Sequence, residues 1–258
     1  MSSMTRLRKT CFDFLAAVKF LTRLRVPSGP YEEHALAPAV KFFPVVGLLI
    51  GLGGAFLYFL LAPHLPVIIV ALLVVIYLVA ITGCLHEDGL ADAADGFGGG
   101  WSRDQVLAIM RDSRIGTYGA AALGLSLLAR VLLIASLPAV RAEAYVTAAA
   151  VLCRWTTLPL SIYLASARDR HEDQSDGQGA RIARLTTPGG LIFGSIFTLI
   201  AVFSLLRLRG LVPVIASGGV TALTALYYNH RINGITGDCF GATNQLTEIA
   251  VYLCGVWA

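Results

Sequence analysis

The sequence predicts an all-α protein of the polytopic membrane class, a helical bundle with about six to seven transmembrane helices and an N-terminal amphipathic interfacial helix. Three observations carry that prediction. Of 258 residues, 56% are hydrophobic and only 14% charged, with a mean hydropathy of +0.71, well outside the range of a soluble globular domain. Apolar runs of about twenty residues, the length that crosses a hydrocarbon core of about 30 Å, recur along the chain. Arg130 and Arg154 apart, the arginines and acids gather in the connections between those runs, and residues 1–258 read as one membrane domain.

Residues 5–25 come first. Arg6, Arg8, Lys9, Lys19, Arg23 and Arg25 stand among Phe12, Phe14, Leu15, Val18 and Leu21, the pattern of a basic helix lying on an anionic lipid leaflet. Asp13 and Lys19 interrupt the apolar run and no small-residue cleavage site follows, so a signal peptide is not expected. Spans are expected over roughly 39–62, 66–85, 118–137, 144–165, 188–206 and 211–228. The tail, 245–258, is apolar after Glu248 but short, a partial seventh helix. Gly47 and Gly51, four apart in the first span, favour close helix approach in a bilayer. An unpaired arginine inside a span costs at least about 2.5 kcal/mol. Arg130 and Arg154 are therefore expected to face the bundle interior or a watery cavity, each with a partner.

The connections 86–117, 166–187 and 229–248 hold most of the remaining arginines, which places them and the N-terminus on the cytoplasmic side. The first carries HEDGLADAADGFGGG, with Glu87, Asp88, Asp92 and Asp95 inside nine positions. At about 100° per residue, Asp88, Asp92 and Asp95 fall within roughly 40° of one another on a helix. Like charges so placed repel, and a cation between them is expected. Carboxylates without histidine or cysteine partners are hard oxygen ligands that favour Mg²⁺ or Mn²⁺, ions that act with phosphates. The expected metal ligands are Asp88, Asp92 and Asp95, with Glu87 or His86 as a candidate base. A polar helix over 102–116, capped by Ser102, follows. In its RDSR, Arg111 and Arg114 are candidates to clamp a phosphate, with Asp112 orienting them. Arg154 is a further candidate substrate-binding residue. Residues 166–187 read as a flexible loop able to cover the site. In 229–248, TGD and FGA set Asp238 among glycines that let backbone approach a phosphate.

Other chemistries are disfavoured by the same residues. Five scattered cysteines without a CxxC pair fit neither a disulfide framework nor a zinc site, and the five histidines lack ligand spacing. A net charge of +4 and a pI near 8.9 suit anionic lipid or a phosphorylated substrate, and no interleaving of basic and aromatic residues suggests nucleic acid. Phosphoryl-type transfer at the membrane surface is the expected reaction class. One alternative is a membrane CDP-alcohol phosphotransferase, whose DGxxAR resembles this stretch at Asp88-Gly89, although the arginine and the distal acids are missing. Another is a secondary transporter with broken helices, against which HEDGLADAAD has no counterpart in a second half.

Four segments in order, FLAAVKFLTRLRVP, HEDGLADAADGFGGG, RDSRIGTYG and GITGDCFGATNQLTE, resemble the cobalamin synthase family, adenosylcobinamide-GDP ribazoletransferase, over nearly the whole chain. The resemblance implies a Mg²⁺-dependent, multi-pass enzyme of the cell (inner) membrane with its active site facing the cytoplasm. It implies that adenosylcobinamide-GDP is joined to α-ribazole or its 5′-phosphate with release of GMP. Mg²⁺ and pyrophosphate would then sit on Asp88, Asp92 and Asp95, with Asp238 completing the site. Where that family commonly has paired glycines before TGD, this chain has Asn233-Gly234, and asparagine tolerates positive φ. The sequence sets no oligomeric state, and a homo-oligomer stays open.

Overall fold

The computed structural model describes residues 3–27, 36–168 and 186–257. Among the described residues every regular element is helical, with one isolated parallel bridge between Ser166 and Ile235. Helix α1 (Ser3–Leu21) covers the expected interfacial segment. It buries Ala17, Val18 and Leu21 and leaves Arg8 and Lys9 exposed. A single turn, α2 (Leu36–Ala39), and the 3-10 turn Val40–Phe42 lead into α3 (Phe43–Leu61), which has Pro44 in its first turn. Proline is suited to that position because its missing N–H would have had no helical partner. The two basic-aromatic segments dock there: Asp13 pairs with Lys41 at 3.2 Å, and Phe20 stacks on Phe43 with centroids 5.4 Å apart.

α4 (Val67–Thr82) ends at Gly83 and Cys84, both left-handed at φ 65° and 63°, and α5 (Leu85–Gly99) departs at 88°. Two successive positive φ values turn the chain sharply, and glycine supplies the first without strain. The end of α1 is tied to this corner by Arg23, whose N–H donates to the Ile81 carbonyl at 2.8 Å and whose guanidinium donates to that of Gly83 at 3.2 Å. α6 (Arg103–Ile109) is opened by the expected Ser102 cap, in a capping box with Gln105. It stops seven residues before the expected end at 116. Asp112 accepts from the Arg114 N–H two residues on, at 3.1 Å, and that side chain-to-backbone turn competes with helix.

α7 (Thr117–Ser136) and α8 (Ala142–Trp155) follow, and α9 (Thr157–Tyr163) continues α8 across Thr156. The expected span 144–165 is thus made of two pieces. α3 and α8 form the most extensive helix pair. Gly47 and Gly51 are the reason: a Cβ on Gly51 would stand 2.7 Å from the Thr147 Cα, and one on Gly47 would overlap the Ala150 carbonyl oxygen. α10 (Pro188–Leu206) and α11 (Leu211–Ile232) are separated by the 3-10 turn Arg207–Gly210. α12 (Gly237–Trp257) packs against α5, α7, α8 and α11. The expected connection 229–248 is therefore only Asn233–Thr236, with Asn233 closing α11 in the left-handed conformation at φ 53°. The short tail is in fact the second half of a 21-residue helix.

Three stretches, Val40–Leu61, Thr117–Ser136 and Pro188–Ile232, are long and apolar enough to cross a bilayer, and a fourth if the bent pair α4 and α5 counts as one. The last stretch is 45 residues long and contains the break at Arg207. The expectation was six to seven. α8 is short, and α12 turns Asp238, Gln245 and Glu248 inward, so neither passes on length and hydropathy alone. Apolar side chains such as Phe56, Phe59, Leu125, Ile200 and Leu226 stand outward, as lipid-facing positions require. Of the loop 166–187, residues 169–185 lie outside the described residues.

Candidate active site

α5 crosses α12 at two glycines. A Cβ on Gly89 would lie 3.0 Å from the Asp238 carbonyl oxygen and 3.1 Å from the Gly241 Cα, and one on Gly241 3.0 Å from the Gly89 Cα. Only paired glycines permit that approach. The crossing brings Asp88, one residue before Gly89, to the same cavity as Asp238 in the first turn of α12. That cavity measures about 150 Å³. Phe20 and Leu21 of α1, Phe43 of α3, His86 of α5, Arg154 of α8 and Asn244 of α12 complete much of its wall.

Asp88 is exposed and Asp92 half-buried, and neither side chain has a hydrogen bond or ion pair among the described residues. Burial, together with the charges of Asp238, Asp88 and Asp95, pushes the Asp92 carboxyl up to about 6. Burial likewise raises Asp238, against the opposing pull of Arg168 and the Thr236 hydroxyl. Arg168 lies 3.6 Å from Asp238. It is held there because Ala165 and Ala167 exchange backbone hydrogen bonds with Ile235, at 2.9 and 3.0 Å. In the sequence Arg168 is one of several arginines in the 166–187 connection, and a pairing between residues 70 positions apart leaves no spacing signal.

The other acids of α5 serve the framework. Asp95 accepts from Gly116 N–H at 2.7 Å and Gly119 N–H at 2.8 Å, so both its oxygens cap the start of α7. Glu87 is buried and accepts from Arg130 at 2.7 Å and Gln245 at 3.2 Å. Arg130 also pairs with Glu248 at 3.2 Å, which accepts from the Tyr252 hydroxyl at 2.9 Å. Arg130 thus has the interior partner its position demands. Glu87 does not line the cavity, whereas His86 does, with an unpartnered Nε2. Burial and the nearby charges of Arg154 and Arg130 hold that imidazole neutral, well below its ordinary value. Asp112 does orient Arg114, with three contacts to its guanidinium of 2.5 to 3.1 Å. That pair is on the surface, and neither Arg111 nor Arg114 reaches the cavity.

Among the described residues, no group of three His, Cys, Asp or Glu side chains stands in ligand geometry for a metal. Mg²⁺ does not require one: it is usually held by one or two carboxylates, water and substrate phosphate oxygens. The unpartnered Asp88 and Asp92, with Asp238 near them, fit that mode. Asp95, with both oxygens occupied, fits it least.

A family described as cobalamin-5-phosphate synthase matches residues 13–256. The adenosylcobinamide-GDP ribazoletransferase of Sinorhizobium medicae is 40% identical, with 96% of this chain and 97% of the relative aligned. Those of Azorhizobium caulinodans and Shewanella frigidimarina are 40% and 37% identical, with 95% and 93% of this chain and 94% and 92% of the relatives aligned. No solved structure matches the chain. The match runs from α1 through α12 and so takes in the whole cavity. The chain belongs to the cobalamin-5-phosphate synthase family and is a membrane-embedded transferase of cobalamin biosynthesis.

Proposed function

We propose that this chain transfers the adenosylcobinamide phosphate moiety of adenosylcobinamide-GDP to α-ribazole or α-ribazole 5′-phosphate, releasing GMP, at the cytoplasmic face of the cell membrane. The single observation that carries the reading is the crowd of acid beside the cavity: Asp88 and Asp238 line it, and Asp92, one turn along α5 from Asp88, is near enough to both that burial and like charge raise it to about 6. Acids so placed repel one another unless a cation lies between them. Asp88 and Asp92 would hold Mg²⁺, with Asp238 completing the set and Asp95 fixing the C-terminal half of α5 against α7. Bound there, Mg²⁺ would neutralise charge on the diphosphate of the donor.

A ribose hydroxyl oxygen of the acceptor bonds to the phosphorus on the cobinamide side of the diphosphate. The bond from that phosphorus to the bridging oxygen breaks, and GMP leaves with that oxygen. His86, neutral, lining the cavity and with an unpartnered Nε2, is the candidate acceptor of the hydroxyl proton. Positioning and electrostatics suffice for such a displacement, without a covalent enzyme intermediate. In the test, purified wild-type and Asp92→Asn proteins are compared for Mg²⁺-dependent GMP release. Retention of full activity by folded Asp92→Asn would overturn the assignment of Asp92.

A further inference from the structure

We propose that the cavity is a phosphoryl-binding subsite centred on Arg154, with Asn244 and His86 beside it. The inference rests on the proposed function and names what this part of the site reads: an anionic group of a substrate, rather than a base or a ring.

The two arginines inside the bundle are treated differently by their surroundings. Arg130 has two carboxylates within 3.2 Å. Arg154, 3% exposed, has none among the described residues. Its Nη1 donates to the Ala150 carbonyl at 3.1 Å and to Cys153 Sγ at 3.2 Å, and its Nε has no partner. Asn244 Oδ1 and His86 Nε2 are also buried without partners, and all three side chains line the same cavity; with its amide turned over, Asn244 donates N–H to an anion there, while the unprotonated His86 Nε2 is left for the acceptor hydroxyl. A buried guanidinium without a carboxylate is costly, and the planar fork of arginine suits phosphate oxygens. An apolar or neutral occupant would leave that cost in place.

Size and charge narrow the occupant further. At about 150 Å³ the space has room for a phosphoryl group and the carbons next to it. The N-terminus of α12 also borders the cavity at Gly237 and adds partial positive charge there. Space for the arginine stem is made by Gly47, where a Cβ would come within 2.9 Å of Arg154 Cδ. The phosphoryl group has two sources, the diphosphate of the donor and the 5′-phosphate of the acceptor.

The test uses full-length Arg154→Gln, Arg154→Lys and Asn244→Asp proteins, each checked for monodispersity in detergent. KM and kcat are measured for adenosylcobinamide-GDP, α-ribazole and α-ribazole 5′-phosphate. A rise on the order of 30-fold in the KM of α-ribazole 5′-phosphate for Arg154→Gln, with the KM of α-ribazole unmoved, supports the acceptor phosphate as occupant. A similar rise in the KM of the donor with either acceptor supports the diphosphate. Arg154→Lys should restore part of the affinity, and Asn244→Asp, which sets a carboxylate against the anion, should weaken the same substrate. Unchanged KM values for all three substrates in folded Arg154→Gln or Asn244→Asp overturn the proposal. A separate readout needs no turnover: inorganic pyrophosphate should raise the thermal midpoint of the wild type and not of Arg154→Gln, and equal shifts in both overturn it. Absence of wild-type turnover together with that differential shift would sink the proposed reaction and leave the subsite standing.

Discussion

Gly89→Ala tests the α5–α12 crossing, because two effects of known size oppose each other there. The added Cβ would lie 3.0 Å from the Asp238 carbonyl oxygen, 3.1 Å from the Gly241 Cα and 3.2 Å from the Asp238 Cα. All three are backbone atoms that cannot rotate away. Carbon contacts are comfortable from about 3.5 Å, so the helices must part by about half an ångström. Helix propensity acts the other way, favouring alanine over glycine by about 1 kcal/mol. Overpacking costs typically about 1–3 kcal/mol, which leaves a net loss of roughly 0–2 kcal/mol in stability. Nothing offsets the change at the site. Misplacement by about 1 Å can cost on the order of 100-fold in rate, so half that distance between Asp88 and Asp238 is expected to cost on the order of tenfold in kcat. Thermal midpoints in detergent and GMP release at saturating substrate measure the two effects. A Gly89→Ala protein more stable than wild type by about 1 kcal/mol and equally active would refute the tight crossing.

Arg130→Met leaves Glu87 and Glu248 buried without their cation and should cost about 3–5 kcal/mol, whereas the triple variant Arg130→Met, Glu87→Gln, Glu248→Gln should recover most of it in the same unfolding assay. Without metal, folded protein holds the Asp92 proton more tightly than unfolded chain. The contribution of Asp92 to stability is therefore full below 3.8 and lost as pH rises through about 6. The thermal midpoint in chelator should fall across that window, Mg²⁺ should reverse the fall above pH 6, and Asp92→Asn should shrink both responses, the remainder belonging to Asp238. Asp95→Asn replaces one accepting oxygen of the α7 cap with an amide that faces an N–H, and a loss of about 1–2 kcal/mol is expected in thermal unfolding. Asp112→Asn breaks only a solvent-screened surface pair and should leave the thermal midpoint unmoved.

What could be read in advance was what is local in sequence. The apolar runs, the Ser102 cap, the left-handed Asn233 and the four-residue spacing of Gly47 and Gly51 each have a short-range cause, and the structure holds each of them. The depth of Arg154 in its span likewise implied the bundle interior or a watery cavity, whereas the charged partner expected with it is absent among the described residues. Roles that depend on distant partners could not be read. Asp88, Asp92 and Asp95 share a helical face, but Asp95 is taken by amides 21 and 24 residues away. Glu87 belongs to Arg130, 43 residues on. Helix periodicity describes which side chains point together and says nothing about what meets them. The 229–248 segment reads as a connection for a related reason: its glycines and polar residues are those of a loop, yet here they form the first turns of α12 against the glycine of α5.

The most direct measurement incubates the purified protein with adenosylcobinamide-GDP, Mg²⁺ and either α-ribazole or α-ribazole 5′-phosphate, and follows GMP and the joined cobamide product together. The account predicts that both appear in equal amounts, only with Mg²⁺, and that Asp88→Asn and Asp92→Asn abolish them in folded protein. Failure to form either product with both acceptors, from protein that is monodisperse and thermally stable, would contradict it.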